Sequence, residues 1–163
     1  SADYLLDPSQ GNIGSRVTRE VDACGNDVGL VVIGGGGVDI STGTPVNEVV
    51  AAIQKLDQDL FERGVKTIFL PLTPVADKTV WYPAHQTDRR AVNAWMTTPG
   101  NMHATVVDCG PALEGTPGSD ILAKQFWNIT DVFGSVDLLH PNDAGYAAIA
   151  ACVQPTILST YSG

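Results

Sequence analysis

Apolar positions along this chain follow two alternating rhythms: short continuous β-branched runs, and stretches that repeat every three to four residues. The continuous runs Val28-Gly29-Leu30-Val31-Val32-Ile33, Val65-Lys66-Thr67-Ile68-Phe69-Leu70 and Ala104-Thr105-Val106-Val107-Asp108-Cys109 predict three strands. The first is apolar throughout and suits a parallel strand buried on both faces. Between the first two strands, Thr44 as N-cap and Pro45 at the first helical position open a helix. Its Val46, Val49, Val50, Ile53, Leu56 and Leu60 share one face, and Gly64 ends it. Thr87 and Asp88 open another helix that turns Val92, Trp95 and Met96 inward. Near the start, residues 1 to 12 read as irregular, and Ile13, Val17 and Val21 mark a short helix stopped by Gly25.

The C-terminal third is less periodic. Residues 112 to 136 read mostly as loop, with a weak helix around Ile121 to Trp127. Pro141 and the Asn142-Asp143 pair then signal a helix start, and Tyr146, Ile149, Ala150 and Val153 recur at helical spacing. Pro155 is expected to interrupt that helix. Three parallel strands alternating with helices imply a layered α/β fold.

Composition narrows the class. At 163 residues the chain is one domain by size and long enough to bury a core, in line with its 44% hydrophobic content. A net charge of -9 and a pI near 4.5 argue against a nucleic-acid partner, since Lys and Arg are nowhere gathered on one face. The acidic balance leads one to expect a soluble protein, and no apolar run reaches the length of a membrane span. Cys24, Cys109 and Cys152 are too scattered for a zinc site, and their odd number leaves one thiol free or bonded elsewhere. Few lysines, abundant Gly and Thr, and the sequon Asn128-Ile129-Thr130 lean towards a secreted, extracellular protein.

Candidate chemistry lies in two places. Gly34 to Gly37 follow the first strand and let the backbone turn tightly or approach a ligand. A dinucleotide fingerprint would need glycine at Asp39, and a phosphate loop would need a following Lys-Ser/Thr; both are absent. Near the C-terminus, Asp137-Leu138-Leu139-His140 places an acid three residues before a histidine that ends a loop. From there the imidazole can face a cleft and accept a proton, while the carboxylate can take the other ring N–H and fix the tautomer. That is the base half of a hydrolase triad. His85 and His103 have no acid at such a spacing and read as polar loop residues. Trp81 and Tyr82, in the loop from Val75 to Gln86, either line a substrate pocket or pack that loop down.

Asp-x-x-His-Pro followed by Asp-x-Gly-Tyr resembles the last sequence block of the SGNH hydrolases, the GDSL esterases and lipases. Three other stretches are similar to family positions: Gly36-Gly37-Val38-Asp39-Ile40 to the third block, Pro71-Leu72-Thr73-Pro74 to the Thr-x-Pro turn, and Arg90-Ala91-Val92-Asn93 to residues whose role is structural. The resemblance covers about Arg16 to Val153. It implies a three-layer α/β/α sandwich with a parallel, flavodoxin-like sheet and an ester hydrolase that needs no metal or cofactor.

Gly25-Asn26-Asp27 looks like an oxyanion block but precedes a strand, whereas ligands of open α/β sheets bind at the carboxyl ends. Val38 stands where the family carries asparagine. No Gly-Asp-Ser block is present, and Ser41 lies in no nucleophile-like turn. The first strand and the serine are therefore expected from a companion polypeptide. With them, His140 and Asp137 would act on an acyl lipid, acetylated sugar or aryl ester, with Gly36 or Gly37 amides as oxyanion donors. Without them, the domain would be an inactive binding or assembly module.

Overall fold

The computed structural model describes residues 13–24, 28–76, 81–128 and 137–161, without the side chains of Trp81, Tyr82, Asp137 and Tyr161. The elements are α1 (Ile13–Cys24), β1 (Leu30–Gly34), α2 (Gly37–Ser41), α3 (Val46–Glu62), β2 (Lys66–Leu70) and α4 (Trp81–Thr97). They continue with β3 (Thr105–Val106), α5 (Gly110–Leu113), a single 3₁₀ turn Lys124–Phe126, β4 (Trp127–Asn128), β5 (Asp137–Pro141) and α6 (Asp143–Tyr161). Two compact units result: Ser1–Leu72 with Thr87–Val106, and Thr73–Gln86 with Val107–Gly163. The expected irregular start at 1–12, Gly25 to Asp27, and Ile129 and Thr130 of the sequon lie outside the described residues.

In the first unit a parallel sheet runs in the order β1-β2-β3. Leu30 lies opposite Lys66 and Gly34 opposite Leu70, while Ile68 and Phe69 pair with Thr105 and Val106. Consecutive parallel strands need a crossover, and α3 supplies the one from β1 to β2, with its apolar face on β2. Val49, Ile53, Leu56 and Leu60 of α3 join Ile33, Ile68 and Phe69 in the core. Gly64, at φ 71°, ends the helix in the left-handed conformation that glycine adopts without strain. Pro45 rather than Thr44 is the N-cap, and proline makes no side-chain cap bond of its own.

Two expectations need correction here. The strand at 28–33 is not buried on both faces: β1 is the edge of the sheet among the described residues, and only its Ile33 is buried. Among the described residues, the strand at 104–109 pairs only through Thr105 and Val106. One physical reason is Asp57, 2% exposed on α3. Its carboxylate accepts the backbone N–H of His103 (2.7 Å) and Ala104 (2.9 Å), which fixes these residues as a turn before the ladder begins. His103 stacks on Phe61, ring centroids 4.0 Å apart, and bonds Gln58 at 2.9 Å, in keeping with a polar structural residue.

The second unit is irregular chain fastened to one long helix. A disulfide joins Cys109 to Cys152 across 43 residues, with Cα atoms 5.9 Å apart, while Cys24 is free and exposed. Residues 112 to 136 were expected to be mostly loop. Their described part holds isolated bridges, Glu114 with Leu122 and Val75 with Ile121, and then the 3₁₀ turn leading into β4. The last helix continues through Pro155, against expectation. Proline there forgoes one backbone hydrogen bond, but the preceding turn is anchored by buried Val153 and cross-linked Cys152. No helix among the described residues is long and apolar enough to cross a membrane.

Candidate active site

The histidine block is held from several directions. β5 pairs antiparallel with β4, Trp127 opposite Pro141 and Asn128 opposite Asp137. One step along β4 therefore spans four along β5, so Leu138, Leu139 and His140 form a bulge between the two paired positions. This corrects the loop expected to end at His140: the histidine sits on a bulge pinned at both ends, which re-aims side chains out of the ladder. The carbonyl of Leu138 also accepts the N–H of Ala76 at 3.1 Å. His140 is exposed. Asp137 is placed by its backbone at the other end of the bulge.

Asn142 explains why the bulge stays in register. Its Oδ1 accepts the N–H of Gly145 at 3.1 Å, capping α6, while its Nδ2 donates to the carbonyls of Gln125 (2.9 Å) and Trp127 (3.1 Å). Its own N–H donates to the Phe126 carbonyl at 2.9 Å. One side chain thus ties the helix start to the 3₁₀ turn and to β4. Gly145 is required for a different reason. A Cβ there would lie 2.5 Å from the Cβ of buried Pro141 and 3.4 Å from that of Phe126, so only glycine lets the helix approach the end of β5. The Asn-Asp-x-Gly part of the block therefore positions His140 without touching chemistry.

The glycine turn belongs to the first unit. Gly36 is buried with φ 104° and ψ -10°, a left-handed conformation, and is the N-cap of α2. Gly37 and Val38 follow in the first turn, where helix geometry provides no carbonyl for their N–H groups. A Cβ on Gly37 would meet Leu72 Cδ2 at 3.6 Å, an ordinary contact. Val38 is 49% exposed, so an apolar side chain stands where a side-chain donor was sought. Ser41 donates its hydroxyl to the Val38 carbonyl at 2.8 Å, a bond within the helix that leaves no nucleophile-like turn around it.

Leu72, at the carboxyl end of β2, is held by residues of α4. Asn93 accepts its N–H and donates to its carbonyl, both at 2.8 Å, and the 1%-exposed Arg89 donates to the same carbonyl at 2.8 Å. Asn93 has the structural role expected of it. Arg89 was not singled out by sequence, although its i, i+4 spacing from Asn93 puts both on one helix face.

Trp81 and Tyr82 do not lie in a loop but open α4, which begins six residues before Thr87; Pro83 is tolerated in this first turn because its missing N–H would have no helical partner. His85 is a residue of the same helix. Buried Gln86 donates to Asp120, at 2.6 Å to Oδ2 and 3.2 Å to the carbonyl, and holds that residue at φ 60°. Of the candidates, then, Gly36, Gly37 and Val38 are contiguous in one unit, and Trp81, Tyr82, Asp137 and His140 belong to the other. Among the described residues no group of three or more His, Cys, Asp or Glu could hold a metal ion.

A parallel sheet with a glycine turn after β1, and a histidine block ahead of the last helix, define an open, layered α/β domain. The chain belongs to the GDSL-like lipase/acylhydrolase family, whose model matches residues 9–148. Solved structures agree on the fold. A putative acylhydrolase from Bacteroides fragilis is 21% identical with a TM-score of 0.63, the match covering 80% of this chain and 62% of that one. A putative lipolytic protein of the G-D-S-L family from Desulfitobacterium hafniense is 14% identical with a TM-score of 0.68, covering 88% and 72%. The OSK domain of Drosophila Oskar is 17% identical with a TM-score of 0.61, covering 77% and 60%. The chain thus spans about 60% of the length of the Oskar and Bacteroides chains. No curated protein sequence matches it.

Proposed function

We propose that this chain is the base-bearing portion of a Ser-His-Asp ester hydrolase, with the serine supplied by a segment outside these 163 residues. The observation that carries the reading is the bulge at Leu138 to His140. Asn142, Gly145 and the Ala76 amide all serve to fix this three-residue excursion, and its product is an exposed imidazole. His140 takes the proton of the attacking serine and returns it to the leaving alcohol, and Asp137 orients the ring. The amide of Gly36 or Gly37 donates to the developing oxyanion, without a side-chain donor at Val38. Trp81 and Tyr82 are candidate acyl or sugar contacts. The substrate is an ester: an acyl lipid, an acetylated sugar or an aryl ester. The disulfide Cys109–Cys152 supports secretion to an oxidising compartment.

The test uses native material, measured as intact mass with and without reductant and assayed with short- and long-chain p-nitrophenyl esters. A companion peptide bearing Gly-Asp-Ser is expected, with hydrolysis that falls about ten-thousandfold in His140→Ala. Hydrolysis that survives this substitution refutes the assignment. A second reading, a domain that keeps the fold but serves binding or assembly, is favoured by Val38 and by the helix-bound hydroxyl of Ser41. It predicts no hydrolysis from native material.

A further inference from the structure

We propose that Gln86 and Asp120 act together as positioning residues for His140: buried Gln86 holds Asp120 in the left-handed conformation, which fixes the segment on which two supports of the histidine bulge rest. The inference rests on the hydrolase reading only where it takes His140 for the base; the link from Gln86 to the bulge is backbone geometry.

Two routes lead away from the bulge. On one side the Leu138 carbonyl accepts the amide of buried Ala76 at 3.1 Å. Val75, also buried, then forms a parallel bridge with Ile121, and its carbonyl accepts the N–H of Leu122 at 3.1 Å. On the other side the bulge closes on β4 through the pairing of Pro141 with Trp127. Trp127 donates its indole N–H to the Leu122 carbonyl at 3.0 Å. Both routes end on Ile121-Leu122, and all of these residues belong to the second unit.

The direction of that segment is set one residue earlier. Asp120 has φ 60°, and no other non-glycine residue among the described ones has a positive φ. A residue with a Cβ is strained there, so the conformation persists only where its surroundings over-determine it. Gln86 does so from α4. Its Nε2 donates to Asp120 Oδ2 at 2.6 Å and to the Asp120 carbonyl at 3.2 Å, so one buried amide clamps side chain and backbone of the same residue. The same loop turns at Gly118, φ 76°, on a glycine, which needs no clamp. At position 120 the chain carries aspartate instead, whose carboxylate gives Gln86 a second acceptor. Relaxation of Asp120 to negative φ would turn its carbonyl from Gln86 and re-aim the chain at Ile121, where the bridge to Val75 begins. The displacement would pass through Ala76 to Leu138, two residues from His140.

The experiment reads the His140 ring directly. Full-length protein carrying 13C-labelled histidine, made in cells that naturally produce it, is compared by NMR with its variants. The His140 ring signal is the one lost in His140→Ala. The His103 signal, from a ring stacked on Phe61 in the first unit, controls for general unfolding. Gln86→Leu is expected to move or split the His140 signal and leave that of His103 in place. With p-nitrophenyl acetate it is expected to lower kcat about tenfold and to change KM by less than about twofold. Adding Asp120→Gly, which takes φ 60° without strain, is expected to return the signal and most of kcat. Adding Asp120→Ala, which removes the same carboxylate but keeps the strain, is expected to return neither. An unmoved His140 signal in Gln86→Leu, or equal rescue by glycine and alanine, overturns the proposal. If Gln86→Leu does not fold, the single variants decide: Asp120→Ala is expected to move the His140 signal further than Asp120→Gly, and equal or reversed shifts overturn the proposal. A parent protein without ester hydrolysis removes the hydrolase reading and leaves the ring signal to judge positioning. Hydrolysis that depends on His140, beside a ring signal indifferent to Gln86, keeps that reading and removes this proposal.

Discussion

The glycine turn of the first unit and the histidine block of the second carry the two halves of one expected chemistry, yet they are built differently. Around His140 the described chain is fastened at several points: Asn142 bonds four backbone groups, Gly145 admits Pro141, and a disulfide anchors the following helix. Around Gly36 the backbone turn is formed, but Val38 offers no side-chain donor, and β1 before it is the edge of the sheet among the described residues, with Val32 exposed. Positioning a base needs only local chain, whereas an oxyanion turn at the end of a strand depends on the neighbouring strand too.

This contrast can be broken by substitution. Beyond the loss of hydrolysis in His140→Ala, the largest effect is expected from replacing Cys109 and Cys152 by alanine. Releasing a 43-residue loop costs about 4 kcal/mol in the chain-entropy model, read as a fall in the urea midpoint. An unchanged midpoint would mean that the second unit is not stapled by this bond. Gly145→Ala comes next, at about 3 kcal/mol, because its Cβ would sit 2.5 Å from that of Pro141; a stable variant would show that β5 gives way easily. On the other side of the comparison, Val38→Asn supplies a side-chain donor and, under the proposed hydrolase reading, is expected to raise the kcat of native material about tenfold. No gain in kcat would separate the glycine turn from the reacting carbonyl. Asn142→Ala is the smallest, about 1 kcal/mol for a lost helix cap, and thermal unfolding resolves it.

Much of the architecture was legible in the chain. The α3 helix, with its apolar stripe and Gly64 stop, and the strands at 28–33 and 65–70 stand where periodicity put them, because burial and local propensity agree there. The misreadings share one cause: tertiary partners overrode local signals. Asp57 captured two amides and set where β3 begins; pairing with β4 drew His140 into a bulge; cross-linked Cys152 carried α6 past Pro155. At the candidate site, His140 and the Gly36 turn were readable from short motifs. Arg89 and the four bonds of Asn142 were not, since a buried arginine or a multiply bonded asparagine looks the same in sequence as a solvated one.

The Cys109–Cys152 bond also changes what a protease can do to this molecule. A cut at any one peptide bond between the two cysteines leaves both fragments joined through sulfur, and His140 lies within that span. Nicked protein would run as one species until reductant is added and as two afterwards. His140 would stay attached through damage that, in an unbridged chain, would shed it.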